Sequence, residues 1–201
     1  MSDPIHVTEF LTLTSTDAIK TTDHFRELVD IIRKEIPTFQ SYHWGDRVQE
    51  PGIRQLIICF GDDPRDKYTP ALLKSLDDKL NLISTSYERK FFVLNPFLPG
   101  KYFSAPYTEV IFATTKPDIN LEEFNKVCNA SLRPCDVFPG CYGTSWGYYI
   151  GKGEEIVMVL GWESPEHHQA FHKTDICKTT TAPFLEMVSD AKWFYIQARE
   201  D

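Results

Sequence analysis

Leu56–Pro64 reads LIICFGDDP, and Ile156–Pro165, one hundred residues further along the chain, reads IVMVLGWESP. Each stretch is a continuous apolar run that leads into a glycine and then a proline. This pattern is typical of a strand that is buried on both faces and is followed by a turn. A stretch that recurs in this way indicates that one structural unit occurs twice in the chain.

Other landmarks of the duplication keep the same order at nearly the same offset. They are the segments HVTEFLTLT and PYTEVIFAT at His6–Thr14 and Pro106–Thr114, the segments DHFRELV and EEFNKV at Asp23–Val29 and Glu122–Val127, and the Trp-Gly pairs at Trp44 and Trp146. We therefore predict a first repeat over residues 1–98 and a second over residues 106–201. A proline- and glycine-rich linker around residues 96–106 joins them.

Each repeat is predicted to run β-α-β-β-α-β. In the first repeat, strands are expected over residues 5–14, 39–48, 53–61 and 87–95, with helices beginning after Thr21 or Thr22 and at Asp66. In the second, strands are expected over residues 107–115, 141–150, 154–162 and 192–198. A helix over residues 121–132 is predicted to be capped by Asn120 and ended by Pro134, and a helical region from Pro165 to break near Pro183.

The element order β-α-β-β-α-β is that of the ferredoxin-like motif. One such unit covers only one face of its antiparallel sheet with helices, and a second unit in the same chain can cover the other face. The fold class that we predict is α+β: two ferredoxin-like repeats packed sheet to sheet as a pseudo-dimeric α+β barrel.

The composition excludes several classes of function. The net charge is −8 and no cluster of Lys and Arg exceeds a pair, so we expect no nucleic-acid partner and no attachment to an anionic membrane. The N-terminus lacks the pattern of a signal peptide, and no run reaches the ~18 apolar residues of a membrane span. We expect a cytoplasmic protein whose five cysteines are free thiols.

At Val157–Phe171 the sequence VMVLGWESPEHHQAF resembles the "strand, Trp-Glu-Ser, helix" signature of the dimeric α+β barrel superfamily. That superfamily includes the antibiotic-biosynthesis monooxygenase domains and the stress-responsive A/B barrel proteins. The resemblance implies the fold predicted above. It also implies a choice among activities, because members include cofactor-free monooxygenases of polyketide phenols, polyketide cyclases, haem-binding enzymes, decarboxylases and proteins without known chemistry.

Aromatic and histidine side chains on the second strand of each repeat are candidates for a pocket wall. Alternation along a strand places Tyr42 and Trp44 on one face and His43 on the other, and Tyr142 and Trp146 are their counterparts. His43 is our candidate general base, because an unperturbed imidazole titrates near neutral pH. Ordinary core packing of these side chains is the alternative.

Two further groups of titratable residues stand out. His168 and His172 are four residues apart and share one face of a predicted helix, so His168 is a second candidate base and His172 a substrate contact. The alternatives are a surface role and ligation of a metal or haem. Glu9 and Glu109 occupy equivalent places in the first strands, and either lie buried with raised pKa values or face solvent.

We predict no metal and no cofactor, because the chain carries no HExxH, CxxC, GxGxxG or P-loop motif. The predicted function is a small-molecule enzyme of secondary metabolism, a base-assisted monooxygenase or cyclase acting on an apolar aromatic or polyketide-like substrate. The alternative is a non-catalytic ligand-binding or stress-responsive barrel. The expected assembly is a monomer or a homodimer, because a fused pair can satisfy its own sheet contacts.

Overall fold

The computed structural model describes residues 5–16, 23–151 and 153–199. The chain forms two compact units, the first extending to Phe91 and including Arg199, the second comprising Phe92–Ala198. The predicted repeat boundaries, 1–98 and 106–201, stay a prediction. Thr21 and Thr22, the predicted N-cap of the first helix, lie outside the described residues.

The first unit contains the elements of the first βαββαβ repeat. They are β1 (Val7–Ser15), α1 (Asp23–Glu35), β2 (Phe39–Arg47), β3 (Ile53–Phe60), a 3-10 helix (Arg65–Lys67), α2 (Pro70–Ile83) and the greater part of β4 (Ser84–Asn95). Strand β3 lies between β1 and β2 and is antiparallel to both. The registers pair Glu9 with Ile58 and Trp44 with Leu56.

Helices α1 and α2 cover one face of this sheet. Their apolar residues follow helical spacing, so Phe25, Leu28, Leu76 and Leu80 form one buried stripe on each helix. This stripe packs on the alternate strand residues that share its face, among them Leu11, Leu13, Leu56, Ile58 and Phe60. Glu9 and Trp44 lie on the same face of the strands as these apolar residues.

The second unit contains the end of β4 and the elements of the second repeat. They are the one-turn helix α3 (Pro99–Tyr102), β5 (Tyr107–Thr115), α4 (Leu121–Asp136), β6 (Cys141–Tyr149), β7 (Glu155–Trp162), α5 (Pro165–His172), α6 (Asp175–Met187) and β8 (Val188–Ala198). The antiparallel order is β8-β5-β7-β6, and Phe92–Asn95 of β4 pairs with β6. Each repeat therefore has the predicted order of helices and strands.

Three helix boundaries differ from the sequence prediction. Helix α2 begins at Pro70 rather than Asp66, because the Thr69 side chain caps it by accepting from the Leu72 N–H. Pro134 lies inside α4, where burial of the following Cys135 holds the last turn in place. The break after α5 falls at Thr174, whose side chain caps α6 by accepting from the Cys177 N–H.

The break predicted near Pro183 is absent there, because this proline lies inside α6. It removes one helical hydrogen bond, yet the next residue, Phe184, is buried and anchors the helix to its core. Asn120 caps α4 as predicted, by accepting from the Glu123 N–H. No helix of the described residues is long and apolar enough to cross a membrane.

Candidate functional site

Glu9 and Glu109 are each buried within their own unit. Their exposed fractions are 0% and 3%, so the solvent-facing alternative is wrong for both. Each carboxylate sits on the first strand of its repeat and on the face that the helices cover. Burial raises the pKa of Glu9 above its ordinary value and raises that of Glu109 to about 7. A buried carboxyl group that titrates near neutral pH is a candidate acid or base.

In the second unit, Glu109 contacts two side chains, one at the end of β7 and one on helix α5. Trp162, the last residue of β7, donates its indole Nε1–H to Glu109 Oε2 over 3.1 Å. His168 lies on α5 and places its Nε2 3.2 Å from the same oxygen. Helix α5 begins at Pro165 directly after the strand, so its first turns lie over the buried carboxylate.

The other ring nitrogen of His168, Nδ1, forms a short hydrogen bond with the hydroxyl of Tyr195 on β8. Strand β8 pairs with β5 in a register that sets Tyr195 directly opposite Glu109. The three side chains therefore form a continuous buried chain, Tyr195–His168–Glu109. The exposed fractions of Tyr195 and His168 are 5% and 6%.

Burial keeps this imidazole neutral. Burial, together with the neighbouring His172, lowers the pKa of His168 to about 3. The ring is therefore neutral, and its 3.2 Å contact with Glu109 is at hydrogen-bond distance and is not an ion pair. Burial also raises the pKa of Tyr195, and the nearby Glu109 raises it further, so the phenol stays protonated at neutral pH.

Two arrangements of protons satisfy the chain equally well. With Glu109 ionised, Tyr195 O–H donates to Nδ1 of His168, and Nε2–H donates to the carboxylate. With Glu109 protonated, its O–H donates to Nε2, and Nδ1–H donates to the Tyr195 oxygen. When Tyr195 takes up one proton from outside, the switch delivers one proton to Glu109, and neither the phenol nor the imidazole changes its charge.

Three side chains lie on the solvent side of the Tyr195–His168–Glu109 cluster. The His172 ring is exposed, and its centroid is 4.3 Å from that of His168. Trp193 is 51% exposed and meets both His168 and Tyr195 edge to face. Tyr107 is half-buried and meets Tyr195 edge to face. An aromatic molecule that approaches Tyr195 from solvent would meet these rings first.

A metal ion is chemically conceivable in the same cluster. One ligand atom each from Glu109, His168 and His172 lies within 4.8 Å of the others, and two imidazoles with one carboxylate suit a divalent transition metal. Both nitrogens of His168, however, already hydrogen-bond to Glu109 and Tyr195. The geometry therefore fits a hydrogen-bonded acid–base chain, and a metal would have to displace it.

The first unit holds a different group at the equivalent place. Tyr68 donates a short hydrogen bond to Glu9 Oε2, and Arg89 Nη1 lies 3.6 Å from Glu9 Oε1. Tyr68 and His168 are separated by the same hundred residues as Glu9 and Glu109, so the duplication pairs them. The first repeat thus faces its carboxylate with a phenol and a guanidinium, and the second with an indole and an imidazole.

Three of the four aromatic residues predicted as a pocket wall pack against the core of their own unit. Trp44 stacks on Phe25 of α1, and Tyr42 packs against the same core. Trp146 is buried in the second core and donates its Nε1–H to Asn129 of α4 over 3.0 Å. Tyr142, at the start of β6, is 49% exposed. A contact with substrate stays a prediction for each of the four.

His43 lies on the strand face opposite Trp44, as the alternation predicts. Burial lowers its pKa to about 4, which makes it a weaker base than the unperturbed imidazole assumed from the sequence. His43 belongs to the first unit and His168 to the second. Its catalytic role stays a prediction.

Tyr195, Trp162, Tyr68 and Arg89 were missed by the sequence analysis. Tyr68 could have been found, because the offset of one hundred residues that pairs Glu9 with Glu109 also pairs Tyr68 with His168. Tyr195 gave no such signal, since its position opposite Glu109 depends on the register of β5 with β8.

No protein-family model and no curated protein matches the chain. Solved structures do. A candidate monooxygenase from Fusobacterium nucleatum has a TM-score of 0.75 at 8% identity, over 99% of this chain and 94% of that one. A candidate monooxygenase from Lactobacillus acidophilus has a TM-score of 0.70 at 13% identity, with 96% and 94% covered. An anthrone oxidase-like protein has a TM-score of 0.67 at 12% identity, with 98% and 93% covered.

At these identities the similarity concerns the fold, and it extends over nearly the whole of each chain. The element order of both repeats agrees with it. The chain therefore shares its α+β fold with these solved structures and carries two ferredoxin-like repeats in one polypeptide.

Proposed function

We propose that the second repeat is the active site of a cofactor-independent enzyme that removes a proton from an apolar aromatic or polyketide-like substrate, as a monooxygenase or a cyclase. The observation that carries this proposal is the buried chain Tyr195–His168–Glu109. It ends in a carboxylate whose pKa of about 7 matches a general base at neutral pH.

The base acts through a relay of protons. Tyr195, at the outer end, accepts the substrate proton as its own hydroxyl proton passes to Nδ1 of His168. The Nε2 proton of His168 moves at the same time to Glu109. The imidazole only exchanges tautomers, so its low pKa is no obstacle. The net change is one proton gained by Glu109 and one lost by the substrate.

The surroundings favour the carbanion or phenolate that results. Neutral Tyr195 and His172 can donate hydrogen bonds to a developing oxyanion, and little water reaches a cluster lined by Trp162 and Phe171. His172, Trp193 and Tyr107 are the side chains that we assign to substrate contact. Glu109 orients His168 and receives the proton, and it need not touch the substrate.

In the oxygenase form, the substrate anion itself reduces dioxygen. A CH₂ group flanked by aromatic rings loses two hydrogens, one oxygen atom enters as a C=O group and the other leaves as water. In the cyclase form, the same base generates an enolate that attacks a carbonyl carbon of the substrate, and water is then lost. The structural similarity to a protein described as anthrone oxidase-like favours testing the oxygenase form first.

The test is oxygen uptake with anthrone-type and phenolic polyketide substrates, with product mass as a second readout. Glu109→Gln and Tyr195→Phe are each expected to lower kcat by about 10²-fold or more, the usual contribution of a general base. His167→Gln is the matched control, because it changes an imidazole on the same helix that contacts Glu163 instead of Glu109. We expect it to keep activity.

The logarithm of kcat/KM should rise with pH and level off above about 7, because the working form needs ionised Glu109. Full activity in both Glu109→Gln and Tyr195→Phe would refute the relay. Saturable binding of these compounds with neither oxygen uptake nor a new product would instead support the alternative function, a non-catalytic ligand-binding barrel.

A further inference from the structure

The first repeat contains a buried arginine whose hydrogen-bonding groups are not used by the described residues. Arg89 lies on β4 with its side chain 12% exposed. Its Nε, Nη1 and Nη2 are all inaccessible to solvent, and within residues 5–16, 23–151 and 153–199 none of them has a hydrogen-bond partner. Buried N–H donors without an acceptor are costly, so a guanidinium in this state is matched to an acceptor that binds there.

The neighbours of Arg89 restrict what that acceptor is. Glu9 Oε1 lies 3.6 Å from Nη1, which is an ion-pair distance and too long for a hydrogen bond. Tyr68 and Phe91 meet edge to face, and the guanidinium carbon lies 5.3 Å from the centre of the Tyr68 ring. The site therefore combines a planar fork of cationic donors with two aromatic rings.

A buried glutamate at this position of the repeat does not need an arginine as its partner. The equivalent Glu109 is held by neutral side chains, Trp162 and His168, and within the described residues no arginine forms an ion pair with it. Arg89 is thus a feature of the first repeat alone, and only a small part of its donor capacity faces Glu9. A bound ligand of matching charge and geometry would account for the guanidinium nitrogens of Arg89 that lack a hydrogen-bond partner.

The geometry points to a binding site for a small aromatic carboxylate in the first repeat, with its carboxylate on the Arg89 guanidinium and its ring against Tyr68 and Phe91. Arginine binds carboxylates through two parallel N–H···O bonds, which fits the paired nitrogens that lack partners. This inference is independent of the proposed function, because every residue in it belongs to the first unit.

The negative charge of Glu9 should weaken the binding of a carboxylate at Arg89. Its negative charge competes with an incoming carboxylate for Arg89, and Tyr68 and Arg89 are the titratable groups that contact it. Burial raises the pKa of Glu9, so the site can release that competing charge by taking up a proton. Removing the charge by mutation should therefore strengthen binding.

The experiment is isothermal titration calorimetry of the full chain with benzoate, and with benzamide as an uncharged probe of the same shape. We expect benzoate to bind one site per chain and benzamide to bind at least about tenfold more weakly. Arg89→Lys should weaken benzoate binding by about tenfold or more, because lysine cannot form the paired bonds. Glu9→Gln should strengthen it.

Arg33→Lys is the matched control, since it makes the same change at an exposed arginine of the first unit that pairs with Asp30, and it should leave benzoate affinity unchanged. The double variant Glu9→Gln/Arg89→Met keeps the site neutral and should not bind, with circular dichroism as the check that it folds. Equal affinity for benzoate and benzamide, undiminished binding by Arg89→Lys, or loss of binding in Arg33→Lys would each overturn the inference.

Discussion

At the residue scale, the burial of Glu109 has a consequence for stability as well as for chemistry. Its pKa is about 7 in the folded chain against an ordinary value of 4.5, so the folded state binds more protons between these values. The unfolding free energy from this group is therefore highest below pH 4.5 and falls as pH rises through 7, by about 3 kcal/mol in total.

Glu109→Gln should remove this dependence, because glutamine resembles the protonated carboxyl group and does not titrate. We expect the variant and the natural chain to have similar stability at pH 5, and the variant to be more stable by about 3 kcal/mol at pH 8. Urea unfolding at the two pH values measures the difference. A stability gap that does not change with pH would contradict a raised pKa for Glu109.

Trp162 tunes the same carboxyl group through its indole N–H. That hydrogen bond favours the ionised form and lowers the pKa of Glu109 against the larger effect of burial. In Trp162→Phe we expect the inflection in the pH profile of kcat/KM to move to higher pH. Phe124→Leu, a truncation in the same core without a hydrogen bond, should lower stability but leave the inflection in place.

At the element scale, one glycine allows strands β4 and β6 to pair. Gly147 on β6 lies opposite Leu94, and a Cβ at Gly147 would overlap the carbonyl oxygen of Val93. Backbone atoms of a paired strand cannot move aside as a flexible side chain can. Gly147→Ala should therefore destabilise the second unit by about 3 kcal/mol or more, as measured by thermal or urea unfolding.

Gly153→Ala is the control for this strand pairing, because a Cβ at Gly153 meets no atom within 4 Å. Its stability should stay within about 0.5 kcal/mol of the natural chain. The Trp-Gly pair at Trp146 was recognised from the sequence as a landmark of the repeat. The reason for a glycine at position 147 is visible only in the fold, since the carbonyl oxygen that excludes a side chain belongs to Val93, more than fifty positions away.

At the scale of the whole molecule, the duplication preserved the framework and allowed the two buried glutamates to acquire different partners. One faces Arg89 and Tyr68, and the other faces His168 and Trp162. We infer that the two repeats have different functions, because the second is proposed to transfer protons and the first to bind an anion. A shared fold permits this, because the partners come from positions that the sheet does not need for pairing.

Native mass spectrometry of the purified protein tests the absence of a cofactor in the proposed mechanism. We expect 23.2 kDa per chain, as a monomer or a homodimer, without a stoichiometric metal or haem. Added Zn²⁺ or Fe²⁺ should not raise turnover. A bound metal that is lost in His172→Ala would contradict the acid–base relay and would make Glu109, His168 and His172 a ligand set.

The sequence by itself determined the fold class and both sets of elements, and it named Glu109 and His168 as candidates for the site that we propose. Periodicity and turn residues act locally, so strand β5 was predicted at its observed bounds, and the duplication drew attention to Glu109 and Glu9. His168 was recognised because helical spacing pairs it with His172. These inferences rest on neighbours along the chain or on a constant offset between repeats.

Only the tertiary structure decided which of these residues act together. Burial of Glu109, the neutral state of His168 and the place of Tyr195 depend on the pairing of β5 with β8 and on where α5 lies over the sheet. Packing within each unit likewise made Trp44 and Trp146 core residues and buried most of Arg89. Side chains far apart in sequence shift each other's pKa values only once packing has excluded water, which no local pattern specifies.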